Sequence, residues 1–492
     1  METQSRPSTG LFKILARWGI LILMQGLLIL PGHAEEAEEK KEDSQEAVQQ
    51  KEEKEEAKKA VKLEDITVMA TQPGVEITPE KTIVRMDEFV KPGDVRTLTD
   101  VLKTMGGIDV MRINPMMASP GDEVSIRGMN EGRLVVEIDG RRINHSGYYG
   151  RYIVDWSTLN LDDIESIEII RGGHSVLHPF AIGGVINIIT KKGKKTSDPK
   201  PTVSAKAGVG SFTTTTESLS IDGGALDFVG YNFSVNNGHT NGYLRNNYQD
   251  NLTLNGHLSF YLPLDATLEL GIKHANVKYG FPVVNDPSRS DYDPSSPNFY
   301  ANADQLRHLN FPQYAAYDPH WKKHTTYLDG IFKMPVGPGT VKIHGYQTNG
   351  RRWTSLYEKS GKFASDVFAD DRTEGVIAEY RDIKLFGFNK VTVGYEYQHL
   401  GAPYDQPDLF EVNSAYLQDV ISIGDQWRIT PGVRYYHVDM NTYYSQYGEG
   451  WPVTGNKETD DGFYPSLKVD FQATDQTALY AAVSRSYRLP CP

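Results

Sequence analysis

The sequence predicts a membrane all-β protein, an antiparallel transmembrane β-barrel over residues 201–492 preceded by a small mixed α/β domain. Three observations carry that expectation. Leu252, Leu254, Gly256, Leu258, Phe260 and Leu262 alternate with Thr253, Asn255, His257, Ser259 and Tyr261, and Val391, Val393, Tyr395 and Tyr397 alternate with Thr392, Gly394, Glu396 and Gln398. Period two with one apolar and one polar face suits a strand between lipid and a wet lumen. Connections alternate in length, with short turns at 222–227, 263–267, 335–340, 386–390, 424–426 and 473–477. Long polar loops fall between them, near 237–250, 280–321, 350–373, 400–411 and 440–461. A soluble sandwich shares the alternation of side chains but not this alternation of connections. Tyrosine is also placed unevenly, 25 of the 28 lying after residue 200.

Composition removes several other classes. The net charge is −13, from 51 Lys+Arg against 64 Asp+Glu, which argues against a nucleic-acid binder with its basic stripe. The single cysteine, Cys491, excludes a disulfide framework and a cysteine-based metal cluster. A mean hydropathy of −0.46 and no apolar run of 18 residues exclude a helical membrane protein, but not a β-barrel.

At the N-terminus, Arg6, Lys13 and Arg17 precede an apolar core from Gly19 to Leu30, followed by Pro31-Gly32-His33-Ala34. That order reads as a signal peptide over residues 1–34, cut after Ala34. As a helix the core reaches only about 18 Å, short of a ~30 Å hydrocarbon layer. Residues 35–62 hold ten Glu, one Asp and seven Lys with no Gly, Pro or aromatic, the composition of a solvated, disordered linker. Residues 63–70 form a short β-prone run, Leu63-Glu64-Asp65-Ile66-Thr67-Val68-Met69-Ala70. It is either a tethered strand that docks on a partner's sheet edge or the first strand of the next domain.

Residues 71–196 read as that domain. Val95–Met105 has helical spacing at Leu98, Val101, Leu102 and Met105, stopped by Gly106-Gly107. Strand-like runs follow at Glu123–Gly128, Leu134–Gly140 with an Asp-Gly turn, Ile167–Gly172 and Ala181–Thr190. No nucleophile–base pair, HExxH, phosphate loop or clustered metal ligands occur here, and no enzymatic activity is expected.

This segment resembles the plug of TonB-dependent outer-membrane receptors, in the family's order and over about 130 residues. Glu64, Asp65, Ile66, Thr67, Val68, Met69 and Ala70 resemble the TonB box; Ile126–Gly128, Val136–Asn144 and Ile167–Gly172 resemble successive plug signatures, and Ala181–Thr190 is the most specific. His178-Pro179-Phe180 departs from the family's usual Tyr-Gly turn. The resemblance implies a barrel of 22 strands, of which about 13 are counted here. It implies a location in the outer membrane of a Gram-negative bacterium, in contact with lipid, and a monomer. The count is odd, and the chain stops at Leu489-Pro490-Cys491-Pro492 without an aromatic final strand, so the barrel is expected to be incomplete.

The resemblance further implies energy-coupled import, with an inner-membrane TonB protein pulling on the box by strand addition. Solutes of the class are ferric siderophores, haem, cobalamin and some glycans, and a ferric siderophore is the default. A passive porin or adhesin is the alternative from a different class, against which the TonB box speaks. Arg127 and Arg171 match family positions where plug arginines meet barrel glutamates, for which Glu396 and Glu379 are the candidate partners. In the 280–321 loop, Tyr292, Tyr300, Tyr314, Tyr317 and Trp321 are candidate ligand-stacking groups. Asp286, Asp291, Asp293, Asp304 and Asp318 form either a calcium site or a solvated loop, and haem ligation by His320 and His324 stays open.

Overall fold

The computed structural model describes residues 68–489 except 70–72, 79–80, 92–96, 113, 115, 147–151, 173–174, 301–317, 358–362, 402–408, 444–452 and 475–476. The signal peptide, the linker, Glu64–Thr67 and Ala70 lie outside these residues.

The N-terminal domain is built on one mixed sheet. β1 (Val68–Met69), β2 (Val75–Ile77) and β3 (Thr82–Arg85) open it, then helices α1 (Met86–Phe89) and α2 (Leu98–Lys103) intervene. β4 (Ile108–Met111) pairs only with β5 (Glu123–Ile126), and β8 (His145–Ser146) only with β9 (Tyr152–Ile153). With β6 (Leu134–Ile138), β7 (Arg141–Arg142), β10 (Ile164–Arg171) and β11 (Gly184–Thr190), the main sheet runs β1-β2-β3-β10-β11-β6-β7. Only β11–β6 is parallel. Thr97 starts α2 through a capping box with Asp100, which satisfies otherwise orphaned donors at the helix start. The apolar spacing read from the sequence buries Leu98, Val101 and Leu102 completely, against Val124, Ile126, Val136, Ile167 and Ile186. Each such side chain contributes about 1.5–3 kcal/mol by leaving water.

Trp156 is fully buried in the same core, and its indole Nε1 donates to Glu131 Oε1 at 2.6 Å. Glu131 also accepts from the backbone N–H groups of Val124 at 3.2 Å and Val154 at 3.0 Å, tying three segments together. Burial pushes its carboxyl up from 4.5 to about 7, against the pull of these donors. The folded domain therefore holds a proton that the unfolded chain releases between these values. Stability from Glu131 is complete below pH 4.5, falls as pH rises to about 7 and is then level. The difference in melting temperature between the parent and Glu131→Gln is expected to change across that interval and be constant above it; a difference constant throughout would show that Glu131 is ionised in the fold at all these pH values.

Among the described residues the barrel wall is a single meander of 13 antiparallel strands, each paired with the next. They are β12 (Thr202–Gly210), β13 (Thr214–Ala225), β14 (Val229–Thr240), β15 (Gln249–Tyr261), β16 (Thr267–Gly280), β17 (His320–Val336) and β18 (Gly339–Tyr357). There follow β19 (Phe363–Ile383), β20 (Asn389–Gly401), β21 (Phe410–Ile423), β22 (Trp427–Tyr443), β23 (Val453–Thr474) and β24 (Thr477–Ser484). Parity sorts the side chains as expected. Asn232, Ser234, Asn236, Thr253, Asn255 and His257 are buried on the inner face, while Phe233, Ile272, Leu328, Ile343, Val393 and Leu417 are exposed on the outer one. A wall with polar groups inside and apolar groups outside fits a membrane barrel around a polar-faced plug.

Two boundaries differ in kind from the sequence expectation. The loops expected at 350–373 and 440–461 are mostly strand, because the β18–β19 ladder continues to Tyr357↔Phe363 and the β22–β23 ladder to Tyr443↔Val453. Hairpins that project beyond lipid need no apolar face, so their sequence loses the alternation that marks a strand. The turn expected at 222–227 begins later, since β13 runs on to Ala225.

Candidate functional site between plug and wall

The Asp-Gly turn between β6 and β7 controls the centre of the site. Asp139 and Gly140 have φ of +52° and +89°, as a two-residue type I′ hairpin turn requires. Asp139 accepts from the Thr190 N–H at 3.1 Å, the Thr190 hydroxyl at 2.7 Å and Lys192 Nζ at 2.7 Å. Burial opposes its ionisation, but Lys192 and Thr190 outweigh it and hold the carboxyl below the usual range. The turn thus delivers two successive arginines whose side chains diverge.

Arg141 is completely buried and reaches the wall. Its Nε donates to Asp329 Oδ1 at 2.6 Å, Nη2 to Asp329 Oδ2 at 3.1 Å and Nη1 to the Thr348 hydroxyl at 2.7 Å. The His344 ring contacts the same carboxylate at 3.0 Å, and the guanidinium stands 5.2 Å and 5.3 Å from the ring centres of Tyr327 and Tyr346. This is a bidentate, charge-assisted anchor between plug and strands β17 and β18. A second buried ion pair, Asp155 with Lys323 at 3.0 Å, ties the plug to β17 again.

Arg142 has no such partner. It is buried, and among the described residues its Nε and Nη1 have no hydrogen-bond acceptor. Its charge is faced by the rings of Tyr152 at 4.7 Å and Phe180 at 5.3 Å. Burial presses its pKa down, yet a guanidinium stays charged in proteins. It lines a small cavity with Asn144, Tyr152, Asp371, Leu400 and Phe410. Leu400 and Phe410 flank the connection between β20 and β21, so the cavity opens toward the long-loop end of the wall. Phe180, in the atypical His178-Pro179-Phe180 turn, closes the adjoining side. Its N–H donates to the Tyr436 hydroxyl at 3.1 Å and its ring stacks on Tyr436 at 5.2 Å. His178 is held to the buried Glu137 at 2.8 Å.

The residues singled out from sequence are placed differently from one another. Arg127 and Arg171 do not meet Glu396 or Glu379. Arg127 donates to Tyr480 on β24 at 3.2 Å, and Arg171 donates to Thr82 at 2.7 Å and the Gly106 carbonyl at 3.0 Å. Glu396 lies on β20, four strands from β24, and already accepts from Arg434 at 2.9 Å. Glu379 accepts from Tyr416 at 2.9 Å and lies 3.5 Å from Lys342. Both carboxylates face inward but are neutralised within the wall.

Val68 and Met69 form the edge strand of the plug sheet, paired with Ile77 and Glu76. Trp321 packs edge-on against Tyr279 and Phe281, with the Arg352 guanidinium 3.9 Å from its ring centre. Tyr292 donates to Asn298 at 3.1 Å and Tyr300 is exposed; Tyr314, Tyr317 and Asp304 lie outside the described residues. The loop aspartates are engaged separately. Asp286 and Asp293 accept from neighbouring serines, Asp291 from Arg289, and Asp318 from Lys278. Among the described residues no three carboxylate or histidine groups come together as a metal site. His320 and His324 share the parity opposite to the buried Lys323, Thr325 and Tyr327, so both face outward and away from any solute in the lumen.

Comparison with known proteins places this geometry. Residues 73–185 match the TonB-dependent Receptor Plug Domain and residues 208–490 the TonB dependent receptor-like beta-barrel. The chain belongs to the TonB-dependent receptor family, whose barrels lie in the outer membrane of Gram-negative bacteria. Among similar solved structures is a variant of the ferric enterobactin receptor from Pseudomonas aeruginosa, at 17% identity and a TM-score of 0.61, covering 84% of this chain and 62% of that one. The siderophore receptor PirA from Acinetobacter baumannii is 17% identical with a TM-score of 0.60, covering 84% and 61%. The ferric-catecholate import receptor Fiu from E. coli K12 is 16% identical with a TM-score of 0.60, covering 83% and 70%. The chain thus spans about six-tenths of the length of the first two.

Proposed function

We propose that this chain supplies the plug and wall strands of an importer for an iron chelate, driven by an inner-membrane TonB protein. The observation that supports this reading is the sheet order. One continuous sheet has the Val68–Met69 strand at one edge and the Arg141–Arg142 strand at the other. Glu64–Ala70 is the segment that the partner would capture by strand addition. At the far edge, the Arg142 nitrogens, without an acceptor among the described residues, offer a charged donor to an anionic solute in a cavity bordered by Tyr152, Asp371, Leu400 and Phe410.

Ferric enterobactin is a suitable first probe, given to cells whose only receptor for it carries this chain. Deletion of Glu64–Ala70 is expected to leave binding unchanged and abolish uptake. Uptake that survives the deletion at unchanged affinity would reject the energy-coupled reading in favour of a passive pore. Arg142→Ala is expected to weaken binding about tenfold or more, the cost of a hydrogen bond to a charged group. Equal binding by this variant would remove Arg142 from the solute site.

A further inference from the structure

We propose that Phe180 is a gate between two cavities of the lumen, and that an anionic solute on Arg142 turns its ring aside and joins them. This rests on the reading of Arg142 as a solute donor and extends it to a second compartment. Phe180 has a φ of +65°, a left-handed conformation that a bulky residue rarely adopts and that persists only where its surroundings enforce it. Pro179 has a fixed φ and keeps His178 out of the helical region, so the turn cannot relax on that side. Both flanks are pinned to the plug. His178 is held to Glu137 at 2.8 Å, and the N–H groups of Ile182 and Gly183 donate to the Arg133 carbonyl at 3.2 Å and 2.8 Å. Phe180 is a strained joint between two fixed points.

The contacts that hold the joint are few. The buried ring stacks on Tyr436 at 5.2 Å with 22° between the planes, and the Phe180 N–H donates to the Tyr436 hydroxyl at 3.1 Å. On its other contact it faces the Arg142 guanidinium at 5.3 Å. That guanidinium attends to a ring because, among the described residues, its Nε and Nη1 have no acceptor. An anion on Arg142 supplies one, and a charge-assisted hydrogen bond is stronger than the cation–π contact it displaces. Occupation of Arg142 thus removes one of the forces that keep Phe180 in its strained state, and the strain itself favours departure. The His178-Pro179-Phe180 turn, which departs from the motif around it, gains a role by this argument that a ring merely packed in a core would not need a left-handed backbone to fill.

Beyond the ring lies the second cavity, lined by Phe180 and Tyr436 together with Ser175, Arg434, Arg485 and Tyr487. Arg434 gives Nη1 to Glu396 at 2.9 Å, while its Nε and Nη2 have no acceptor among the described residues. Arg485 stands 4.8 Å from the Tyr464 ring centre and donates to the Phe463 carbonyl at 3.4 Å, with no carboxylate partner among the described residues. The second cavity therefore offers what the first does, cations beside aromatic rings, and takes the same class of anionic solute. The two stand at different levels. Phe410 of the first cavity lies opposite Met440 on β22, and Arg434 of the second is six residues nearer the short-turn end of that strand. With the ring aside, one chamber runs from Arg142 down to Arg434 and Arg485, so the gate lets a solute step inward from one set of cations to the next.

The test is fluorine NMR of the detergent-purified receptor carrying 4-fluorophenylalanine at position 180, titrated with gallium(III) enterobactin, a diamagnetic stand-in for the ferric complex. At saturation a new resonance is expected to replace the original one, while the same label at the exposed Phe212 stays where it was. Phe180→Gly adopts this φ without strain and has no ring to displace, so it should bind the complex at least about threefold more tightly. Arg485→Gln, which touches only the second cavity, should weaken binding about tenfold in the parent. Resistance of the plug to protease, unchanged in each variant, shows that the fold is intact. A resonance at position 180 unmoved at saturation would overturn the gate, as would unchanged binding in both Phe180→Gly and Arg485→Gln. Binding unaffected by Arg142→Ala would instead reject the solute site on which the gate depends.

Discussion

Replacing Asp329 by alanine is expected to destabilise the plug within the barrel by about 3–5 kcal/mol, the range for removing one partner of a buried ion pair. The variant leaves Arg141 completely buried with its bidentate acceptor gone, and only the Thr348 hydroxyl and two tyrosine rings remain. His344 also loses the oxygen it contacts. Plug release, read as protease cleavage between residues 68 and 196 at rising urea concentration, should move to clearly lower urea. The double substitution Arg141→Met/Asp329→Leu separates loss of packing from a stranded charge. It removes both charges and should recover most of the stability, since buried pairs replaced together by apolar groups are often neutral or better. A double variant as unstable as Asp329→Ala would show that the ion pair is not what makes the single change costly.

Trp156→Ala carries the second large effect. Truncating a buried tryptophan typically costs 3–5 kcal/mol, and here the change also takes a donor from Glu131. Glu131 would still receive the N–H groups of Val124 and Val154, but next to a cavity. Trp156→Phe restores most of the volume without the donor, so it should recover the packing part and leave about 1 kcal/mol, the net worth of the lost indole hydrogen bond. Thermal unfolding of the three proteins measures both parts. If Trp156→Phe is as stable as the parent, the indole hydrogen bond contributes nothing net.

The barrel was legible because alternation is a strong, local signal, and Leu252–Leu262 displays it with Gly256 as the one position of the outward row that has no apolar side chain. The long hairpins were not, because strands surrounded by water on both faces have no apolar side to show. Site residues followed a similar divide. The Asp139-Gly140 turn was visible, but what it presents was not, since the partner of Arg141 lies 188 residues away on β17. A signal did exist: Asp329 falls between Tyr327 and Ile331 on the inward parity of a strand, where a carboxylate asks for a partner. Motif fixes the place of Arg127 and Arg171 in the plug but says nothing about which barrel strand stands beside them.

The edge position of β1 has a mechanical meaning. Val68 pairs with Ile77, the residue next to the turn into β3, so the free end of β1 and that turn lie at the same end of the pair. Tension between them opens Val68–Ile77 first and Met69–Glu76 next, one rung at a time. β2 meets β3 in the same sense, with Val75–Val84 at the loaded end. Rungs broken in succession yield at far lower force than rungs broken together. Load then arrives at β3, where Lys81 grips Glu168 on β10 and four further rungs cross to that strand. The N-terminal edge behaves as a tear strip, and Lys81 marks where the tear meets resistance.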